Sequence, residues 1–337
     1  MSVGLDIGTK TIKMVELVKQ GAGFSLRASG IVGHKGKTPD QSKDEKELVI
    51  LTEAIRKLHK DAKISSKEVI IALPETQVYT RTIKFPLLTD AEVASAVKWE
   101  AEQYIPIPAN EAIIQHQIVE RREDTTPPQV VVLLVAAPKA LVEKYARAVE
   151  MSGMNLTTIE TELMALVRSL APMDQSSMIV DFGARSSDIA IAKNGTLVFS
   201  RSIPTAGEAF TRAVSQFLGV DETQAEEYKR TYGLSATQLE GKVKQALDPV
   251  FRVVSDEMKK AIHFYQSEEK GDSPTSAILA GGTAGMPEAA STLTKLLGIE
   301  VIVGNPFSKV SVDPQAVTQL AGYAPLYSIA VGLAMRE

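Results

Sequence analysis

No cysteine occurs among the 337 residues, which excludes disulfide bonds and thiolate chemistry and favours a reducing compartment. No cluster of basic residues occurs either, and the formal net charge of -4 argues against a nucleic acid as partner. The sequence has no apolar run close to the ~20 residues that a membrane span requires, and its first residues lack the pattern of a secretory signal. These absences predict a cytoplasmic protein that reaches a membrane only through a partner.

The residues that are present predict an ordinary globular protein with two lobes. Apolar residues make up 44% and charged residues 23% of the chain, as in folded soluble proteins. A length of 337 residues exceeds what one hydrophobic core usually fills. The succession of three strands, a helix, a strand and a helix occurs twice, with different insertions. A doubled unit of this kind usually binds its ligand in the cleft between the halves.

The pattern of apolar and polar residues changes after Pro74 and indicates a further division of the chain. An alternating strand, a helix with a capping box formed by Thr89 and Glu92, and two strands around a charged tip predict a small α+β insertion. A helix predicted over 139–152 closes that segment. The predicted units are the core of the first lobe (1–73 and 154–176), the insertion (74–153), the core of the second lobe (177–206 and 275–337) and a helical subdomain of the second lobe (207–274).

Two similar turns, in GLDIGTKTIK and in IVDFGARSSDIAI, carry the functional prediction. In each, a strand ends near a carboxylate, Asp6 or Asp181, and a glycine follows two residues later. Glycine lets backbone N–H groups approach a phosphate, and the aspartates are suited to a hydrated Mg²⁺. A plain hairpin explains either turn alone, but two such turns favour a shared site for phosphate and metal. The predicted binding residues of the turns are Asp6, Gly8, Thr9, Lys10, Thr11, Asp181, Gly183, Arg185 and Ser186.

Two further features are weaker signals when they are taken singly. A late glycine-rich segment follows a predicted buried strand and precedes a helix, so the amides of Gly281, Gly282 and Thr283 can face a nucleotide. An ordinary strand-to-helix connection has the same pattern. Glu226 and Lys229 lie three residues apart on one face of a predicted helix. They either belong to the ligand site or form a solvated ion pair.

In this order, the motifs resemble those of the actin-like ATPase superfamily across nearly the whole chain. The resemblance implies an α/β fold of two duplicated RNase H-like lobes around a nucleotide cleft, in which the two turns are phosphate motifs. It also implies that Gly281, Gly282 and Thr283 form the adenosine motif. Gly207, in TAGEAF, lies in a segment similar to a glycine turn of related chaperone ATPases, in which the positions matching Glu226 and Lys229 contact the adenosine.

Two helices between the lobes are also implied by this resemblance. TIETELMALVRSL (158–170) and YSIAVGLAMR (327–336) look like the two connecting helices of the superfamily, and small residues in the second allow close packing. Glu160 falls where the chaperone ATPases have a catalytic acid, so it is the candidate for positioning an attacking water. Its alternative role is to cap the connecting helix. The resemblance implies slow ATP hydrolysis at most.

The position of the insertion selects one branch of the superfamily. It follows the strand VIIAL, as in the families of the cell-division protein FtsA and the type IV pilus assembly protein PilM, and KWEAEQYIPIP within it is similar to the latter. The chain also stops at Glu337, without the membrane-binding helix found in FtsA. The sequence is therefore identified as a member of the PilM family.

This membership implies a cytoplasmic component of the type IV pilus machinery that binds ATP and Mg²⁺. Its implied partner is the N-terminal cytoplasmic tail of a PilN-like inner-membrane protein, which links it indirectly to PilO and to the motor ATPases. A groove shared by the first lobe and the insertion would receive that tail. Two alternatives are a self-associating, filament-forming scaffold like FtsA and a small-molecule kinase of the same superfamily. The kinase is disfavoured because the first lobe lacks a glycine-rich stretch with a catalytic aspartate.

Overall fold

Three β-sheets and the helices that cover them form the structure, a computed structural model that describes residues 1–267 and 270–336. The strands are β1 (Ser2–Ile7), β2 (Thr11–Gln20), β3 (Gly23–Gly33), β4 (Glu68–Leu73), β5 (Tyr79–Pro86), β6 (Ala112–Arg122), β7 (Gln129–Pro138), β8 (Asn155–Thr161), β9 (Ser176–Phe182), β10 (Ser187–Lys193), β11 (Thr196–Ile203), β12 (Ser276–Ala280), β13 (Glu300–Val303) and β14 (Val310–Ser311). The helices are α1 (Val49–Asp61), α2 (Asp90–Tyr104), α3 (Lys139–Met151), α4 (Glu162–Leu170), α5 (Gly207–Leu218), α6 (Glu222–Tyr232), α7 (Lys242–Ser267), α8 (Ala289–Leu297), α9 (Pro314–Leu320) and α10 (Ser328–Ala334).

The two larger sheets share one strand topology. The sheet of the first lobe has the order β14-β3-β2-β1-β4-β8, and that of the second lobe has the order β11-β10-β9-β12-β13. In both, a meander of three antiparallel strands is extended by two parallel strands that begin beside the first strand of the meander. Asn194 and Gly195 have positive φ angles of 51° and 70°, as the tight turn between β10 and β11 requires. The duplication predicted from the sequence is therefore confirmed.

The insertion is a separate three-stranded sheet with one helix on it. Its strand order is β5-β7-β6, and α2 begins with the predicted capping box of Thr89 and Glu92. Apolar side chains of β5, β7 and α2 form a cluster of their own. The apolar face of α3, with Leu141 and Tyr145, packs instead in the core of the first lobe. The predicted boundary at residue 153 therefore assigns α3 to the insertion, although this helix packs with the first lobe.

The first connecting helix is shorter than the sequence analysis predicted. The chain continues as strand β8 through Thr161 and pairs in parallel with β4, so the helix α4 begins at Glu162 and not near residue 158. Threonine and isoleucine before that point favour a strand, and the Thr161 side chain accepts the N–H of Met164 at 3.3 Å as an N-cap. Because of this shift, Glu160 lies in a strand.

The last part of the chain returns to the first lobe. Strand β14 pairs in parallel with β3, and side chains of α10 pack against Val15 and Leu17 of β2. The predicted core of the second lobe (275–337) therefore contains a segment, from about Phe307 onward, that packs on the first lobe. Helix α4 lies against the second sheet with Leu166 and crosses α10. No helix within the described ranges is long and apolar enough to span a membrane.

A fully buried glutamate, Glu16 of β2, joins β2 to β3 and to the segment before β4, and its loss should destabilise the first lobe. The carboxylate of Glu16 accepts the N–H groups of Ser65 and Ser66 and a hydrogen bond from Arg27 Nε at 3.1 Å. Burial raises the pKa of Glu16, but the hydrogen bonds from Ser65 and Ser66 and the charge of Arg27 together lower it by more. The pKa of Glu16 therefore lies below its usual value. Glu16→Gln should lower the free energy of unfolding by ~2 kcal/mol, because the buried donors lose a charged acceptor.

The pH dependence of this effect has a definite sign. Because the pKa of Glu16 is lower in the folded state, its stabilisation is present above the pKa of the unfolded chain and is lost as the pH falls through the folded value. Urea unfolding at pH 7.5 and near pH 4 measures this, with the exposed Glu53→Gln as control. The gap between wild type and Glu16→Gln should shrink in acid; an equal gap at both pH values contradicts the assignment.

Candidate functional site

The first predicted turn joins β1 to β2 beside a buried aspartate. Only 2% of Asp6 is exposed, and its carboxylate accepts a hydrogen bond from Lys13 Nζ at 2.9 Å. The two residues are direct partners in the antiparallel pair of β1 and β2. The N–H group of Gly8 donates to the carbonyl of Thr11 at 3.1 Å and closes the turn. The structure thus adds Lys13, a buried cation, to the residues predicted for this turn.

The loop after β3 supports this turn from outside. The N–H group of His34 donates to the carbonyl of Lys10 at 3.2 Å, and its ring Nε2 lies 2.9 Å from the carbonyl oxygen of Gly8. Thr9 and Thr11 are partly exposed beside it, and Lys10 is exposed. The turn therefore combines a fixed backbone with accessible hydroxyl and ammonium groups, an arrangement that suits an anion.

The second predicted turn joins β9 to β10 and also has a buried aspartate. The N–H group of Gly183 donates to the carbonyl of Ser186 at 3.0 Å. Asp181 pairs across the two strands with Asp188, which is also buried. Burial and the charge of Asp188 raise the pKa of Asp181 to about 7, although Lys13 of the first lobe lowers it. The hydroxyl of Ser186 donates to Asp188 at 2.7 Å, so Asp188 is a carboxylate of this turn that the sequence analysis missed.

The glycine-rich segment after β12 packs against the second turn. Gly281 has a φ of +84°, and a Cβ at this position would lie 2.2 Å from Asp181 Oδ1, so no larger residue fits. The N–H group of Gly207, at the start of α5, donates to the carbonyl of Gly183 at 3.1 Å. The predicted residues that lie together here are Asp181, Gly183, Gly207, Gly281, Gly282 and Thr283.

In the predicted pair of Glu226 and Lys229 on α6, the lysine is buried. Lys229 is 4% exposed, and its Nζ donates to Glu226 Oε2 at 2.6 Å and to the carbonyl of Gly207 at 3.2 Å. It also donates to Thr211 Oγ1 at 3.0 Å. Burial lowers the pKa of Lys229, although Glu226 opposes that change. The alternative of a solvated ion pair is therefore wrong for Lys229, whose ammonium group joins α6 to the start of α5.

The two cations predicted for phosphate face one carboxylate. Lys10 Nζ, from the first lobe, lies 2.9 Å from Glu208 Oε1 at the start of α5, and Arg185 Nε lies 4.0 Å from Glu208 Oε2. The pairing of Lys10 with Glu208 crosses the cleft between the lobes. The side chains of Lys10 and Arg185 are more than half exposed, so these ion pairs are weak. An anion with more charge can compete with Glu208 for both cations.

The position of Glu160 argues against its predicted catalytic role. Its carboxylate accepts hydrogen bonds from Arg168 Nη1 and Nη2 at 2.6 and 2.8 Å and from Arg336 Nη1 at 2.6 Å. Both carboxylate oxygens are engaged by guanidinium groups, and the side chain is buried, so Glu160 is not free to orient a water molecule. Because Arg168 also donates to the carbonyl of Gly332 at 2.7 Å, Glu160 instead links β8, α4 and the end of α10.

The sequence analysis missed two acids that contact each other where the start of α4 meets the segment after β4. Glu162, the first residue of α4, accepts the N–H of Glu75 at 3.2 Å. Burial and the charges of Asp188, Asp6 and Asp181 raise the pKa of Glu162 well above its usual range. Burial and Asp188 also raise the pKa of Glu75, to about 8. The charges of the aspartates of both turns therefore act on Glu162, which lies two residues from the predicted acid.

Asp6 and Asp181 fit the chemistry of a hydrated divalent cation. They are buried carboxylates at corresponding ends of β1 and β9, and the charge of Asp6 raises the pKa of Asp181, so the two act on one another. Within the described residues, no three His, Asp or Glu side chains converge as a direct metal cage. Mg²⁺ at nucleotide sites needs only one or two carboxylates, because water and phosphate supply its other ligands. The donor set is therefore compatible with the predicted Mg²⁺ held through water.

Two duplicated lobes whose turns and glycine-rich segment meet at a cleft define an actin-like ATPase fold, as predicted. The sequence itself matches, over residues 4–337, the family described as type IV pilus assembly protein PilM. The chain belongs to that family. The predicted branch of the superfamily is therefore confirmed.

Similar proteins of known structure or curated identity agree with this assignment. A solved PilM-PilN type IV pilus biogenesis complex contains a chain that is 27% identical, with coverage of 99% of this chain and 98% of that one and a TM-score of 0.84. The cell division protein FtsA of Bacillus subtilis (strain 168) is 23% identical over 370 residues, which cover 94% of this chain and 81% of FtsA. MreB5 of Spiroplasma citri bound to AMPPNP is 13% identical and covers 98% of this chain and 93% of its own, with a TM-score of 0.56, a likeness in fold alone.

Proposed function

We propose that this chain binds ATP with Mg²⁺ between its lobes and docks onto the N-terminal cytoplasmic tail of a PilN-like inner-membrane protein. The observation that carries the nucleotide part is the matched pair of turns, each with a buried aspartate and accessible donors. The turn of Lys10 belongs to the first lobe, and the turn of Arg185 belongs to the second. A triphosphate between them takes over the charge pairing that Glu208 provides.

The residues have separate roles in this proposal. Amides and hydroxyls of both turns bind the phosphates, and the segment of Gly281, Gly282 and Thr283 receives the adenosine. Asp6 and Asp181 hold Mg²⁺ through water, and the ion neutralises phosphate charge when bound. We assign slow hydrolysis at most. Glu162 replaces Glu160 as the acid that would orient water, because Arg168 and Arg336 occupy the Glu160 carboxylate, whereas the charges of Asp6 and Asp181 act on Glu162.

The partner part of the proposal is supported by similarity to the PilM-PilN complex and by the contacts of the insertion. The hydroxyl of Thr82 on β5 donates to the carbonyl of Val198 on β11 at 2.7 Å. Lys193 Nζ on β10 lies 3.4 Å from Glu120 Oε1 on β6. The insertion therefore contacts the second lobe while it is covalently part of the first. A tail bound between the insertion and the first lobe is thus sensitive to the angle between the lobes.

This sensitivity gives the protein a relay function. Nucleotide changes the angle between the lobes to the extent that it prefers one arrangement, and the tail transmits that preference to the inner membrane. PilO and the motor ATPases are reached only through this partner. The chain itself is cytoplasmic and peripheral to the membrane in this proposal.

Titration calorimetry of the full chain with a synthetic tail peptide tests the proposal. The peptide is the cytoplasmic N-terminal segment of the PilN-like protein encoded in the same genome, and a peptide of scrambled order is the control. We expect the native peptide to bind and the scrambled peptide not to bind. The Kd of the native peptide should change by roughly fivefold or more with saturating ATP and Mg²⁺. If the native peptide binds in neither condition, the proposed docking is wrong. If the Kd of the native peptide is the same with and without bound nucleotide, the proposed relay function is wrong.

A further inference from the structure

We propose that Glu75 is the positioning residue that couples the nucleotide cleft to the insertion. This inference rests on the proposed function, and it assigns a role to a residue outside the ligand turns. Glu75 is separated from β4 by Pro74 alone and lies at the start of the insertion. Only 5% of the residue is exposed. A glutamate buried at a junction between lobes needs partners that offset the loss of hydration.

The partners of Glu75 come from three different parts of the molecule. Its Oε1 accepts a hydrogen bond from Thr80 Oγ1 of the insertion at 3.2 Å. The N–H group of Leu163 on α4 and the hydroxyl of Ser200 on β11 are near enough to the carboxyl group to oppose the rise of its pKa. The insertion, the connecting helix and the second lobe therefore converge on one side chain. A change in the angle between the lobes must alter at least one of these contacts.

The carboxyl group is also incompletely paired. Its Oε2 is buried and has no hydrogen-bond partner within the part of the chain that the structure describes. Two acids lie near Glu75: the charge of Asp188 on β10 acts on its carboxyl group, and Glu162 of α4 accepts its backbone N–H at 3.2 Å. The neighbouring hydroxyls are those of Thr80 on β5 and Ser200 on β11. An unpaired buried oxygen next to acids is tolerated far better as a neutral carboxylic acid than as an anion.

The charge of Glu75 then follows the pH in the neutral to alkaline range. Burial and the charge of Asp188 raise its pKa to about 8, so the group is mostly neutral at pH 7. Since its pKa is higher in the folded state, its contribution to stability is present in acid and is lost as the pH rises through about 8. Above that pH, a buried negative charge that is repelled by Asp188 loosens the junction.

Two variants separate the charge of Glu75 from its contacts. Glu75→Gln keeps a neutral group of similar shape that donates and accepts hydrogen bonds, and Glu75→Ala removes both. Glu111→Gln, at an exposed glutamate of the insertion, is the matched control. Peptide affinity is measured with and without ATP and Mg²⁺ at pH 6.5 and 9. The ratio of the two Kd values is the coupling factor.

We expect coupling in the wild type at pH 6.5 and a factor near one at pH 9. Glu75→Gln should keep the same factor at both pH values, and Glu75→Ala should have none at either, while each ligand alone binds within about twofold of the wild type. Coupling that persists in Glu75→Ala, or that falls with pH equally in Glu75→Gln, overturns the inference.

Hydrogen exchange of the unliganded protein tests the junction even if neither ligand binds. At pH 9, the amides of β5 and β11 should exchange faster in wild type than in Glu75→Gln, because only the wild type gains the charge. Glu75→Ala should raise their exchange at pH 6.5 as well, and Glu111→Gln should change nothing. Equal exchange in wild type, Glu75→Gln and Glu75→Ala rejects the role of Glu75, whereas absence of ligand binding in the wild type rejects the proposed function instead.

Discussion

Gly332→Ala should destabilise the protein by roughly 4 kcal/mol or more, the scale of the most damaging single substitutions. Gly332 lies where α10 crosses α4, and a Cβ there would lie 1.9 Å from the carbonyl oxygen of Ala165 and 2.5 Å from its carbonyl carbon. Both atoms are backbone, so no change of rotamer relieves the clash. The helices must separate, which also breaks the hydrogen bond from Arg168 to the carbonyl of Gly332.

Thermal unfolding of purified protein measures this effect. Gly285→Ala is the matched control, since a Cβ at that position meets no atom within 4 Å. The control should unfold within a few degrees of the wild type, whereas Gly332→Ala should unfold far below it or fail to accumulate in soluble form. A Gly332→Ala protein as stable as the control means that α4 and α10 do not cross at this distance.

Gly282→Val should abolish nucleotide binding and leave the fold intact. In contrast to Gly281, a Cβ on Gly282 would have a single neighbour, Leu326 Cδ2, at an ordinary contact distance of 3.5 Å. The branched side chain therefore fits the folded chain but adds bulk where the proposal puts the adenosine. Loss of that contact should weaken ATP binding at least ~100-fold, equivalent to ~3 kcal/mol.

Calorimetry with ATP and Mg²⁺ checks this result, and thermal unfolding confirms that the variant is folded. Gly23→Val is the control because a Cβ there would meet only the carbonyl oxygen of Gln20, at 3.9 Å, beyond the end of β2 that lies opposite the first turn. Retained ATP affinity in Gly282→Val would show that the cleft has been assigned to the wrong residues. Asp6→Ala is a less specific test, because it leaves buried Lys13 without its partner and costs ~3–5 kcal/mol of stability.

The fold was predictable because its signals are local. Each turn after a strand carries its own glycine, and the Asn194-Gly195 turn needs the positive φ angles that those residues favour. The capping box of α2 likewise lies within four residues. Repetition of such signals in a fixed order gave the duplicated lobes, which the structure and the PilM family match confirm.

The buried charged groups near the two turns were less predictable than the fold, because their contacts depend on strand register and on residues that are distant in sequence. Glu160 and Glu162 are two residues apart, and only the start of α4 decides which of them faces the arginines. Lys13 meets Asp6 because the β1–β2 pairing places them opposite each other. Glu75 obtains its partners from β5, α4 and β11, which no spacing within its own segment reveals.

The return of the last helix to the first strands has a consequence for synthesis on the ribosome. The hydroxyl of Ser2 bonds to the carbonyl of Ala334, a separation of 332 residues. The core of the second lobe draws on residues from Met178 to Val301 and can form while the chain is still growing. One apolar face of the first sheet, with Val15, has no cover until the segment from Phe307 emerges. A nascent chain thus exposes an apolar face of a β-sheet until that segment has emerged, and chaperones that bind such surfaces should associate with the chain until then.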